Sequence, residues 1–100
     1  MQDLLNLADD WSPLFKVLGD PSRLKLLLWM HYRGPGAATV SELAEATGLR
    51  TATASAALKN MEAAGIIRPS KEGRQVRYLL IDDRAHELLH HLGGTHVHSH

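Results

Sequence analysis

One hundred residues make a single small domain, whose core is marginal alone and gains from a second subunit. The lack of cysteine excludes a disulfide scaffold, an iron–sulfur cluster and any thiolate metal site. The longest apolar run, Leu26 to Met30, is far too short to span a bilayer. Met1 to Leu4 lack the basic segment and apolar run of a secretion signal, so the expectation is a cytoplasmic protein with no membrane role. Formal net charge is zero, yet residues 50–77 carry a net +4 and the first twenty residues a net −3; such segregation suits one nucleic-acid-facing surface.

In chain order, residues 2–18 read as helical with a break near Ser12-Pro13, where Ser can cap and Pro can open a new first turn. Asp20-Pro21 starts a second helix as N-cap and N1. Its Leu24, Leu27 and Leu28 recur at i, i+3, i+4 to about Tyr32, and Gly34-Pro35-Gly36 ends it. Thr39 and Glu42 have capping-box spacing for a short helix to about Ala46. Thr47-Gly48-Leu49 then turns into a longer helix, from about Thr51 to Ala64, with Leu58 and Met61 inward and Gly65 at a left-handed end. Ile66-Ile67-Arg68 and Val76 to Ile81 form a β-hairpin around Gly73. Asp82 or Asp83 caps a last helix striped by Ala85, Leu88, Leu89 and Leu92; Gly93-Gly94 ends it. The domain is thus residues 1–94, with 95–100 a flexible His-rich tail.

Short helix, glycine turn, longer helix and basic hairpin is the order of a mainly α winged helix-turn-helix, with about five helices and a two-stranded wing. The longer helix would enter the major groove of duplex DNA by its N-terminal turns. The candidate DNA contacts are Arg50, Thr51, Thr53, Ser55 and Lys59 on that helix, and Lys71, Arg74 and Arg77 on the wing. Guanidinium, ammonium and hydroxyl groups serve phosphates and base edges alike.

The segments Phe15-Lys16-Val17-Leu18-Gly19-Asp20-Pro21-Ser22-Arg23-Leu24-Lys25-Leu26-Leu27, Val40-Ser41-Glu42-Leu43-Ala44, Leu58 to Ile67 and Glu72 to Tyr78 resemble the ArsR/SmtB family of bacterial metal-sensing repressors, over about residues 13–92. The resemblance implies a homodimer built from the first and last helices, binding an inverted-repeat operator and releasing it on binding metal. In one branch the metal lies on the last helix, between antiparallel copies. This chain departs from that pattern. Asp83-Arg84-Ala85-His86 is one residue longer than the Asp-x-His pair of that branch, so its ligands do not transfer position by position. Ala56-Ala57 leave the recognition helix bare, and Glu42 to Ala46 stand where other branches carry thiolates, which argues against a cysteine-dependent sensor.

Six of seven histidines fall in the last fifteen residues. At about 100° per residue, Asp83, His86 and His90 share an arc of roughly 60° opposite the leucine stripe. His86 and His90 have the i, i+4 spacing of a chelating pair, and Glu87 and His91 repeat it. With His91, His96 and His98 as further donors, the set suits Ni²⁺ first, because six-coordinate nickel accepts additional imidazoles, and Zn²⁺ or Co²⁺ next. His31, apart from the rest, reads as structural or solvated. The competing expectation is a metal-independent regulator controlled by a protein co-regulator. A metal store would leave the basic wing without a purpose. No nucleophile–base pair or phosphate loop points to an enzyme.

Overall fold

The computed structural model describes residues 1–34, 36 and 38–93. Along them run α1 (Gln2–Leu18), α2 (Pro21–Arg33), α3 (Val40–Thr47), α4 (Thr51–Ala63), β1 (Ile67–Glu72), β2 (Gln75–Leu80) and α5 (Asp83–His91). The expected tail, residues 95–100 with His96 and His98, lies outside the described residues, as does Gly94. No helix among the described residues is long and apolar enough to cross a membrane.

α2 is the central element, packed against α1, α3, α4, α5 and β2. Asp20 caps it, its carboxylate accepting from the Arg23 amide at 2.9 Å, with Pro21 in the first turn. The Arg23 guanidinium reaches back to the carbonyls of Val17 (3.0 Å) and Lys16 (3.2 Å). These are among the last carbonyls of α1, which have no partner inside that helix. The buried face of α2 is Leu26, Leu27, Met30 and His31. The expected stripe is therefore rotated: Leu26 is fully buried, whereas Leu24 and Leu28 are half-buried.

The expected break in α1 does not occur. Pro13 lies inside one continuous helix. Proline removes one helical hydrogen bond, here to the carbonyl of Asp9, but Asp9 is exposed and water can satisfy that oxygen. Leu14 and Val17, just beyond Pro13, are buried, and the Trp11 and Phe15 rings meet across it with centroids 6.0 Å apart.

The capping box of α3 forms as read: Glu42 Oε1 accepts from the Thr39 amide (2.8 Å), and Thr39 Oγ1 from the Glu42 amide (3.3 Å). Gly48 then adopts φ +74°, with the Leu49 amide donating to Ala44 O at 3.0 Å. Gly65 ends α4 in the same way at φ +77°, with Ile66 donating to Met61 O at 3.0 Å. Only the left-handed backbone lets the chain reverse and satisfy those carbonyls. Between the two glycines, Ala54, Leu58 and Met61 face the core fully buried.

β1 is longer than expected, running through Pro69 to Glu72, which pairs with Gln75 across a two-residue Gly73-Arg74 loop. Gly73 has φ +62° and among the described residues only glycines have positive φ, so Arg74 does not, which is the pattern of a type II′ turn. Pro69 is tolerated because a two-stranded sheet has an open edge on either side. Thr39 also pairs with Arg77 in an isolated bridge. The whole is a winged helix-turn-helix.

Candidate nucleic-acid interface and histidine site

Arg50 is the N-cap residue of α4, and among the described residues no side chain caps that helix. Its leading amides are thus open to an anion, as at phosphate-binding helix ends. Arg50, Thr51, Thr53 and Lys59 are exposed and Ser55 is half-buried. At the wing, Lys71 and Arg74 are exposed beside and within the two-residue loop.

Arg77 is placed differently from the other cations. Its guanidinium lies 3.5 Å from Glu42 Oε1 and donates to Gln75 Oε1 at 3.1 Å. It thereby ties the wing to the capping box of α3. The Thr39 amide, with help from the Thr39 hydroxyl, Arg77 and Arg33, holds the Glu42 carboxyl below its ordinary range. On β2, burial pushes the Tyr78 phenol up, with Glu62 adding to the effect.

On α5, Asp82 is the cap, its carboxylate accepting from the Ala85 amide at 2.9 Å, which leaves Asp83 exposed in the first turn. His86, Glu87, His90 and His91 line an open hollow of about 470 Å³. Imidazole and carboxylate donors without sulfur fit Zn²⁺, Ni²⁺ or Co²⁺. Among the described residues no three such donors already stand as a set that could hold an ion.

Two features go beyond what the sequence suggests. Arg84 lies over the Trp11 ring, 4.8 Å from its centroid, and donates to Asp10 O at 3.1 Å, joining α5 to α1. His31 is buried, 2% exposed, with its ring against His86 and His90. A signal for His31 is present, since it occupies i+7 of the stripe begun by Leu24, Leu27 and Leu28. Beside these, Phe15, Leu18, Gly19, Leu24, Leu88, His91 and Leu92 surround an open apolar hollow of about 370 Å³.

The MarR family model matches residues 20–75, from the α2 cap to the wing. Among solved structures, a predicted DNA-binding transcriptional regulator from E. coli is 26% identical, with TM-score 0.82 over 93% of this chain and 96% of that one. The AntR antimony-specific transcriptional repressor is 31% identical, with TM-score 0.71 over 86% and 75%. The homodimeric winged helix-turn-helix DNA-binding domain of Mb0332 from Mycobacterium bovis, a possible ArsR-family regulator, is 24% identical, with TM-score 0.70 over 93% and 83%. None of the curated proteins compared with the chain matches it. The family match over more than half the chain, on a fold shared with these regulators, has one meaning: the chain belongs to the MarR family and is a DNA-binding winged-helix transcriptional regulator, not an enzyme.

Proposed function

We propose that the protein, on the winged-helix scaffold its MarR family match covers, acts as a homodimeric, metal-responsive repressor in the manner of the ArsR/SmtB regulators its sequence resembles. In this reading α4 enters the major groove of an inverted-repeat operator and the wing grips the flanking backbone. The observation that carries it is an α4 whose exposed Arg50, Thr51, Thr53 and Lys59 are followed by a wing with Lys71 and Arg74 exposed at its end. The dimer is supported by apolar side chains left outside the core, namely Leu4, Leu5, Leu7 and Phe15 of α1 and Leu92 just after α5. Phe15 and Leu92 line the apolar hollow, and the related Mb0332 domain is homodimeric. The metal is Ni²⁺ first, then Zn²⁺ or Co²⁺. Its candidate ligands are Asp83, His86, His90 and His91, with His96 and His98 beyond the described residues. Metal on this helix changes the spacing of the two DNA-reading units.

The test is fluorescence anisotropy on an operator selected from random duplexes, with and without Ni²⁺ or Zn²⁺. A coupling of 1–3 kcal/mol would change the affinity about 5- to 150-fold. Six phosphate contacts per dimer would give a log–log salt slope of about −5. A metal ratio near one would remove the sensor role and leave a metal-independent regulator governed by a protein co-regulator. That second reading is favoured by the lack of a ready-made three-donor set among the described residues.

A further inference from the structure

Among the described residues, His31 is the one polar side chain within the buried set. It lies in the last turn of α2 beside Met30. An imidazole in an apolar interior is costly unless its nitrogens interact, and the groups facing it include two more imidazoles. The His31 ring stands edge-on to His86, with centroids 4.7 Å apart and planes at 64°. It meets His90 at 5.7 Å and 75°. His86 and His90 also line the open hollow on α5, so they stand between the buried ring and solvent.

Metal–nitrogen bonds of about 2.0–2.1 Å put the ring centroids of two imidazoles on one tetrahedral ion roughly 5 Å apart. The two measured separations bracket that value. We propose that His31, His86 and His90 are the imidazole ligands of a divalent zinc- or nickel-type site built within one protomer, joining α2 to α5. This rests on the metal-responsive reading and changes its ligand set. Asp83 and His90 are seven residues apart, about 10.5 Å of helix rise, so an ion held by His86 and His90 lies a turn or more from Asp83. The donors do not yet form a closed set. Closure requires turning the exposed His86 and His90 side chains, a picosecond-to-nanosecond motion at a surface. Glu87, His91 or water completes the sphere.

The regulatory route follows from the packing. α2 carries α3 and α4 on its surface and also contacts α5. An ion drawing α5 onto α2 acts on the helix that supports the DNA-reading unit, without a ligand from a second subunit.

The experiment is Zn²⁺ calorimetry and Co²⁺ visible spectroscopy on the full-length chain, comparing wild type with His31→Gln and His86→Ala. His31→Gln and His86→Ala are expected to weaken Zn²⁺ by at least about tenfold and to alter the Co²⁺ bands. A wild type that takes up no metal defeats the metal-responsive reading itself. Tight binding that survives His31→Gln undiminished defeats only the His31 site. Because His31 is buried, imidazole ¹⁵N NMR of the wild type provides a check free of mutation. One equivalent of Zn²⁺ must shift the His31 nitrogens together with those of His86 and His90, and unmoved His31 signals would overturn the assignment.

Discussion

The two flanks of α2 are built on different terms. On the DNA-reading side, Leu43, Ala44, Ala54, Leu58, Met61, Ile66 and Ile67 are all 3% exposed or less, and capped ends and left-handed glycines close the turns between elements. On the other side, α1 leaves Leu4, Leu5, Leu7 and Phe15 at least half exposed, and Leu92 beyond α5 is 65% exposed. Three side-chain devices hold that flank: Arg23 on the end of α1, Arg84 over Trp11, and His31 against α5. One half is complete within a single chain. The other presents apolar surface that a second molecule could cover, so the two flanks differ in how much of their apolar surface one chain buries.

The sharpest way to break this contrast is to damage each side in turn. Leu58→Ala removes a fully buried side chain of α4 and is expected to cost about 2–5 kcal/mol, read as a lower urea midpoint and abolished DNA binding. On the opposite flank, Phe15→Asp is expected to leave the helical circular dichroism intact while raising the dimer dissociation constant at least about tenfold, because a charge is then buried at the contact. Sedimentation velocity measures it, and an unshifted monomer–dimer equilibrium would remove Phe15 from the interface. A third comparison lies within the wing. Arg74→Ala is expected to weaken all duplexes alike and flatten the salt slope by about 1 for each phosphate that Arg74 neutralises. Arg77→Ala is expected also to loosen the wing from α3, which hydrogen exchange of the Thr39 and Glu42 amides would register.

The smallest effect concerns pH. Glu42 has its pKa lowered from 4.5, first by the Thr39 amide. The stabilisation it contributes is therefore complete above that ordinary value and is lost as pH falls through it and through the lower folded value. Thermal melts between pH 7 and acid should show a slightly shallower decline in Glu42→Gln than in wild type. Identical pH profiles would mean that ionisation of Glu42 contributes nothing to stability.

Structure is legible in the sequence where it is set locally. Asp20-Pro21, Thr39 with Glu42, Gly48 and Gly65 each act within a few residues of their own position, and each marks an element end that the fold keeps. Legibility ends where distant segments decide. Pro13 reads as a break because its local cost is visible, whereas the burial of Leu14 and Val17 that keeps α1 continuous through it is not. His31 reads as a solitary ring because the α5 imidazoles that face it arrive more than fifty residues later. Arg77 reads as a DNA contact from charge alone; its bond to Glu42 depends on how β2 folds back onto α3. The histidines of α5 are legible as a pair by spacing, but not the third ring beneath them.

Pro69 has a consequence beyond its own strand. A two-stranded ribbon offers two unsatisfied margins on which a neighbouring molecule could build, and a regulator crowded along DNA holds many such ribbons close together. One margin of this wing is tacked down by the Thr39–Arg77 bridge, and β1 carries in its middle a residue with no amide proton to offer. The arm is accordingly protected against templated sheet growth, and exchanging Pro69 for a β-branched residue should raise its tendency to form fibrils.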